Sequence, residues 1–206
     1  MKFVAWKSLI ITSLICLLPI LFGVLFWNQL PEMVAVHFGI NNQPDNFAPR
    51  WFAVFGIPFI MMMFQIISCI ITDFNSAKHG RAVKFERVTK GIIPTMSVFL
   101  QSAIILFALG VNLDMRKVAM VIVSLMFITL GNYLPKLNYI KNYNIDTKTA
   151  RKLNRVMGFG MVVLGILGFI TVFMPPVSSV IWLLLLIPCI VASVIYGMKN
   201  GLKKRD

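Results

Sequence analysis

Residues 8–27 read SLIITSLICLLPILFGVLFW, an apolar stretch without a charged side chain. A helix rises about 1.5 Å per residue, so about 20 apolar residues cross the ~30 Å hydrocarbon core of a bilayer. This stretch therefore predicts a membrane-spanning helix. Five further uncharged stretches predict spans of the same kind: Trp51–Thr72, Gly91–Val111, Val118–Leu134, Gly158–Met174 and Val177–Met198. The predicted fold is an all-α integral membrane protein with six transmembrane helices.

The composition supports a membrane protein. Of 206 residues, 58% are hydrophobic and 13% are charged, whereas a soluble domain has roughly 45–50% apolar and about 25% charged residues. The formal net charge of +13 would suggest nucleic acid binding in a soluble protein. Here it indicates topology and contact with the lipid bilayer, because no basic soluble domain is available to bind nucleic acid.

Lysine and arginine are distributed unequally between the two sets of loops. One set, formed by the loops after the first, third and fifth spans, holds only Arg50, Arg116 and Lys117 of the 20 basic residues. Under the positive-inside rule the other set is cytoplasmic, which predicts a multi-pass protein of a bacterial cell membrane with both termini inside. The predicted halves are 1–112, with an outer loop at 28–50, and 113–206, with a basic cytoplasmic loop at 135–157.

The predicted spans contain no aspartate, glutamate, lysine, arginine or histidine. Intramembrane charges usually serve transport or catalysis, and the chain has no zinc-protease, serine-hydrolase or phosphate-loop motif. We therefore expect no enzymatic activity, no cofactor and no metal. Gln65 and Gln101 favour helix packing over substrate binding. The glycines of the fifth span fit close packing within the chain or between two copies, and the oligomeric state stays open.

The loop at 28–50 has the pattern of a short hairpin. Val34, Val36 and Phe38 alternate with other residues, which predicts an extended segment. Residues 41–45 then supply turn chemistry, and Asp45 and Arg50 are placed to form a pair.

Several residues of this loop occur in an order typical of a known domain. Leu30-Pro31, His37-Phe38, Asn42, Pro44-Asp45 and Arg50 resemble a bacterial domain of unknown function, number 1648, with Leu-Pro, His-Phe, a turn, Pro-Asp and a closing basic residue. That domain commonly opens members of the SdpI family of immunity proteins. The chain differs in having Asn42-Gln43 where a glycine is common, and Arg50 where lysine is usual.

The second half resembles the same family over shorter motifs. Gly131-Asn132, followed by Lys136, is similar to the family's Gly-Asn-x-x-x-Lys segment, and Asn154-Arg155 is similar to its Asn-Arg pair. The family's central cytoplasmic motif is replaced here by residues 142–147.

The residues before the fifth span predict a helix with one basic face. Asp146 is a good N-cap for a helix from Thr147 toward Val156. Its basic residues recur at three- and four-residue steps: Lys148, Arg151, Lys152 and Arg155. This face would either lie against anionic headgroups or bind a cytoplasmic protein.

The resemblance implies a non-enzymatic protein that gives immunity to, or senses, a secreted membrane-active peptide toxin. It makes the outer loop the candidate ligand-binding surface: His37, Phe38, Asn42, Pro44, Asp45 and Arg50. It also implies a cytoplasmic surface for a transcriptional repressor: Asn132, Lys136, Arg151, Asn154 and Arg155. Two alternatives stay open, a small-solute or lipid transporter and a membrane subunit of a larger complex such as a transport ATPase.

Overall fold

Helices dominate a computed structural model of the chain, which describes residues 4–80, 82–137 and 147–202. The α-helices are α1 (Trp6–Ile15), α2 (Leu18–Leu25), α3 (Ile57–His79), α4 (Val83–Ala108), α5 (Met115–Tyr133), α6 (Thr147–Ile170) and α7 (Pro176–Leu202). Two strands, β1 (Met33–Phe38) and β2 (Pro44–Pro49), lie between α2 and α3. This hairpin is the one departure, within the described ranges, from the all-α prediction.

Among the described residues, five helical segments are long and apolar enough to cross a membrane, as expected for a multi-pass membrane protein. They are Trp6–Leu25, Phe52–Lys78, Val83–Ala108, Met115–Lys136 and Arg151–Phe173. A shorter apolar stretch, Pro176–Cys189, opens α7. The five segments contain most of the first five predicted stretches, and several extend past them into charged sequence. For example, α6 joins the predicted basic helix and the fifth span into one continuous helix.

The outer surfaces of these helices are apolar. Large side chains such as Leu21 (69% exposed), Phe64 (57%), Phe159 (71%) and Phe173 (79%) point away from the protein interior. In water such a surface would be a liability, whereas lipid chains solvate it.

The described chain forms two compact units. The first contains the residues up to Asp73 together with Lys90–Ile122, and the second contains Phe74–Thr89 together with the residues after Ile122. Helices α3, α4 and α5 each contribute to both units because the division falls inside them.

In the first unit, Gln65 compensates for a proline in α4. Pro94 lies inside α4 and has no N–H to donate to the carbonyl of Lys90, four residues earlier. The Gln65 side chain of α3 donates from Nε2 to that carbonyl oxygen at 2.8 Å. The predicted packing role of Gln65 is confirmed, since this bond joins α3 to α4.

Gln101 compensates for an irregular turn in the same way. The residues before α3 form a π-helical turn, Phe52–Gly56, in which the Ile57 N–H bonds to the Phe52 carbonyl. The next donor in this register would be Pro58, which has none, so the Ala53 carbonyl has no backbone partner in that pattern. Gln101 of α4 donates to this carbonyl instead.

The first span is broken between α1 and α2, and a second side chain of α4, that of Ser97, compensates there. The N–H of Ile20 bonds to the Leu17 carbonyl rather than to Cys16, four residues back. Ser97 Oγ donates to the Cys16 carbonyl oxygen at 2.8 Å. Buried polar side chains therefore satisfy the backbone at the irregular points of this unit, as lipid surroundings require.

In the second unit, glycines allow α5 and α6 to approach at backbone distance. A Cβ atom on Gly131 would lie 2.5 Å from the carbonyl oxygen of Gly158, and one on Gly165 would lie 2.7 Å from that of Ser124. Gly158, Gly165 and Gly168 of α6 thus serve packing within the chain. Trp182 joins α7 to α6, because its Nε1 donates to the Leu164 carbonyl of α6 at 2.9 Å.

Candidate functional site

The loop between the first two spans folds into an antiparallel hairpin. β1 pairs with β2, with Val34 opposite Ala48 and Phe38 opposite Pro44. The turn between the strands needs a residue with positive φ, and Asn42 adopts φ 61° there, a conformation that asparagine tolerates well. The predicted extended segment is confirmed as β1.

The hydrogen-bond register of the hairpin is irregular around His37, whose side chain contacts Asp45 on the surface. The register shifts on both sides of His37, between Ala35 and His37 and between His37 and Phe38; such bulges re-aim side chains. His37 Nδ1 lies 2.5 Å from Asp45 Oδ1, and the two side chains are 69% and 49% exposed. Because Asp45 engages Nδ1, the other ring nitrogen, Nε2, is left for a ligand.

Two other motif residues attach the hairpin to neighbouring helices of the first unit. The Phe38 ring packs edge-on against Phe107 near the end of α4, with centroids 4.8 Å apart. Asn42 accepts from the backbone N–H of Met115 at 2.7 Å and donates to the Leu113 carbonyl at 3.0 Å. Asn42 is therefore an N-terminal cap for α5, supplied by a distant part of the chain.

Arg50 fixes the base of the hairpin. Its guanidinium donates to the carbonyls of Pro31 and Trp27, each at 3.1 Å, and lies 5.4 Å from the centroid of the Trp27 ring. The predicted Asp45–Arg50 pair is wrong. Asp45 pairs with His37 across the hairpin, whereas Arg50 donates to backbone carbonyls that precede β1.

The six candidate ligand-binding residues thus separate into two groups. Phe38, Asn42 and Arg50 make contacts within the protein, and Pro44 begins β2 without contributing an N–H to the ladder. His37 and Asp45 are exposed, and the same hairpin segment also carries the half-exposed side chains of Ile40 (52%) and Phe47 (50%). The hairpin therefore presents both a polar pair and apolar groups to its surroundings.

The candidate partner-binding residues lie around the start of α6 in the second unit. Asn154 Nδ2 donates to the Leu137 carbonyl at 3.3 Å, so its role is to hold the end of the preceding segment against α6. Arg151, Arg155 and Asn132 are exposed. Lys136 is also exposed and lies 4.3 Å from the centroid of the Tyr133 ring. The predicted cap Asp146 lies outside the described residues, as do 142–146 of the replaced motif.

A buried ion pair in the first unit was missed by the sequence reasoning. Lys90 Nζ lies 2.5 Å from Asp73 Oδ1, and the two side chains are only 5% and 4% exposed. The second carboxylate oxygen accepts from the Ala5 N–H at 3.0 Å. The predicted apolar stretches stop at these charges, although both helices continue through them. One feature of the sequence could have indicated it. Gln65, Cys69 and Asp73 recur every four residues, so they lie on one face of α3, which is therefore a polar face inside the protein.

The chemistry of these side chains fits binding. Across the described ranges, no group of three or more histidine, cysteine or acidic side chains is arranged to hold a metal ion. The hairpin presents a hydrogen-bonding imidazole, a carboxylate and two apolar side chains, and the start of α6 presents cations. Both sets of side chains could hydrogen-bond to, or pair with, groups of another molecule.

Residues 14–62 match the family described as Domain of unknown function (DUF1648). The matched region contains most of the first span, the complete hairpin and the proline-containing beginning of the second span. No curated protein and no solved structure matches the chain.

Proposed function

We propose that this chain is a non-enzymatic bacterial membrane protein that gives immunity to, or senses, a secreted membrane-active peptide toxin. The observation that carries the proposal is the exposed His37–Asp45 pair on a hairpin that the rest of the first unit holds in place. The residues that match DUF1648, 14–62, include the whole hairpin, so the hairpin belongs to the part of the chain that the family model describes.

The surface of the hairpin suits a peptide that acts on membranes. Such peptides are amphipathic, with a charged face and an apolar face. The Asp45 carboxylate and the His37 imidazole offer partners for a cationic or hydrogen-bonding group. Ile40 and Phe47, each about half exposed, offer contact to the apolar face. Attachment through Asn42 and Arg50 reduces the conformational entropy that the loop loses on binding.

The proposal includes six spans, with both termini in the cytoplasm and the hairpin outside. Five segments meet the length and composition of a span, and α7 would supply the sixth. The distribution of lysine and arginine supports this orientation. The exposed basic residues of α6 would then lie on the cytoplasmic side of the membrane, and a cytoplasmic repressor is a proposed partner of the protein as a whole.

Growth of a sensitive bacterium under challenge by secreted peptides tests the proposal. Cells that express the protein should survive one peptide, or one class, at concentrations that kill cells carrying an empty vector. H37A and D45A should lose at least tenfold of that protection at equal protein level. N46A is the matched control, since Asn46 is an exposed residue of β2 next to Asp45, and it should protect like the parent.

Two results would count against the proposal. Protection that persists in H37A and D45A would separate the activity from the hairpin surface. A lack of protection against every peptide, at confirmed membrane expression, would remove the immunity function itself.

The transporter alternative is weakened by the geometry of the interior amides. The Nε2 groups of Gln65 and Gln101 are bound to backbone carbonyls, so they are engaged in holding helices together. Solute flux in proteoliposomes that Q65L abolishes without loss of folded protein would revive the alternative.

A further inference from the structure

The two faces of α6 have different surroundings. Since 3.6 residues make a turn, Asn154, Gly158 and Gly165 fall on one side of the helix. This side packs inside the second unit: Asn154 bonds to the Leu137 carbonyl, and a Cβ on Gly158 would lie 2.7 Å from the Pro135 ring. The opposite side is exposed from Lys152 to Ile170.

The exposed side changes abruptly from basic to apolar. Its first part consists of Lys152 and Arg155, with Arg151 at the edge nearer Asn154, and all three are exposed. Its continuation consists of Val156 (50% exposed), Phe159 (71%), Val163 (37%), Ile166 (49%) and Ile170 (47%). The charged residues and the apolar residues therefore form one stripe, with the charges at one end.

The apolar part of the stripe is long enough to contact a whole acyl chain, with the basic residues at the level of the headgroup. From Val156 to Ile170 the helix rises about 21 Å at about 1.5 Å per residue, which exceeds the roughly 15 Å of one hydrocarbon leaflet. An acyl chain that lies along this apolar part has its headgroup at the level of Arg155 and Arg151. Arginine is the side chain best suited to phosphate, because its planar fork donates two parallel hydrogen bonds.

A fourth cation lies near the same end of α6. The 3₁₀ turn Leu134–Lys136 packs against the helix, and the Leu137 carbonyl that follows it bonds to Asn154, one residue before Arg155. Lys136 lies beside the Tyr133 ring, an aromatic of the kind enriched at the level of lipid headgroups. In the part of the chain that the structure describes, no acidic side chain pairs with Lys136, Arg151 or Arg155.

We propose that the start of α6, with Lys136, Arg151, Lys152 and Arg155, is a binding site for the phosphate headgroup of an anionic phospholipid. The acyl chains of the same lipid lie along Val156, Phe159 and Val163. The site discriminates by charge, because a zwitterionic lipid carries a cation that the four basic side chains repel. The inference does not depend on the toxin proposal.

Native mass spectrometry of the full-length protein in detergent tests the site. Phosphatidylglycerol is titrated as the probe, with phosphatidylcholine and soluble glycerol 3-phosphate in parallel. We expect phosphatidylglycerol to bind at least tenfold more tightly than either comparison compound. The triple variant R151Q/K152Q/R155Q should lose roughly tenfold or more of that affinity, since three of the four cations are removed.

The double variant K84Q/R87Q is the control. It removes exposed positive charge from the start of another helix, α4, where the helix surface continues through Gly91 and the exposed Thr95. It should change the affinity less than twofold. The helix content and thermal unfolding of each variant are measured first, and F159A reports on the acyl-chain contact, with an expected loss of a few fold.

Three outcomes would overturn the inference. Equal losses in the triple and control variants would mean a non-specific response to net charge. Equal binding of glycerol 3-phosphate would mean a site for a soluble phosphate. Capture of a soluble protein that depends on Arg151 and Arg155, without phosphatidylglycerol selectivity, would assign the surface to a protein partner.

Discussion

Gln65, Ser97 and Gln101 each donate to a backbone carbonyl that a neighbouring helix leaves without its usual N–H partner. In a soluble protein, water can take this part at a helix kink. In hydrocarbon an unsatisfied carbonyl costs several kcal/mol. The polar side chains of this interior are therefore matched to particular irregular turns.

The pairing of Gln65 with Pro94 gives a test in which one substitution repairs another. Q65L should lower the free energy of unfolding by about 1–3 kcal/mol, because the Lys90 carbonyl loses its donor. P94A restores a backbone N–H to that carbonyl, so Q65L/P94A should be more stable than Q65L alone. Unfolding in mixed micelles, followed by circular dichroism, measures both. A double variant no more stable than Q65L would contradict this account.

The Asp73–Lys90 pair should behave as a buried ion pair. K90M or D73N leaves one buried charge without its partner and should cost about 3–5 kcal/mol, whereas K90M/D73N should cost much less than the sum of the two. K117M is the matched control, because Lys117 pairs with Asp114 at 3.7 Å and is 51% exposed. It should change stability by less than about 1 kcal/mol. Additive losses in the double variant would rule out strong coupling.

At the level of elements, the contact of α5 with α6 depends on the absence of side chains. G131A places a methyl group 2.5 Å from the Gly158 carbonyl oxygen and 2.8 Å from the Val162 nitrogen. Both are backbone atoms, which cannot rotate away, so the helices must separate. We expect a loss of about 1–3 kcal/mol in unfolding free energy.

G160A is the control for this contact, since nothing lies within 4 Å of a Cβ at Gly160. Alanine favours helix over glycine by about 1 kcal/mol, so this variant should be as stable as the parent or more so. Equal destabilisation by G131A and G160A would show that helix propensity, rather than the close approach, sets the result.

For single helices and strands, the sequence predicted the features that depend only on neighbouring residues. The apolar runs located five helices that can span a membrane, because bilayer thickness sets their length. Alternation and turn residues predicted the hairpin. The partners of Asn42, Arg50 and Lys90 were not predictable in this way, because each contact joins residues brought together by folding. The Asp73–Lys90 pair was not predicted for a further reason. The spans were defined as uncharged stretches, so both residues fell just outside them.

At the scale of the whole molecule, the proposed topology can be tested by cysteine labelling. In a background carrying C189A, N46C should react with a membrane-impermeant maleimide in intact cells. K152C should react only after the membrane is broken, because we expect α6 to begin in the cytoplasm. Both positions are exposed, and the remaining Cys16 and Cys69 are buried. Labelling of both positions in intact cells, or of neither, would contradict the arrangement.

The candidate site could be predicted only in part at this scale. His37 and Asp45 were selected by resemblance, and the structure places them as an exposed pair. The same resemblance selected Phe38, Asn42 and Arg50, whose contacts lie within the protein. A motif groups residues that recognise a ligand with residues that support the loop, and only the three-dimensional contacts separate the two kinds.

The Gln65 bond to the Lys90 carbonyl also constrains how this sequence can change over generations. A descendant that loses Pro94 regains the missing N–H, after which the change of Gln65 to leucine costs less, since only its bonds to Thr12 and Cys69 are then lost. A descendant that loses Gln65 first passes through an unstable intermediate. Substitutions at the two positions should therefore arise in a preferred order, proline before glutamine, and an alignment of relatives should show the two changing together.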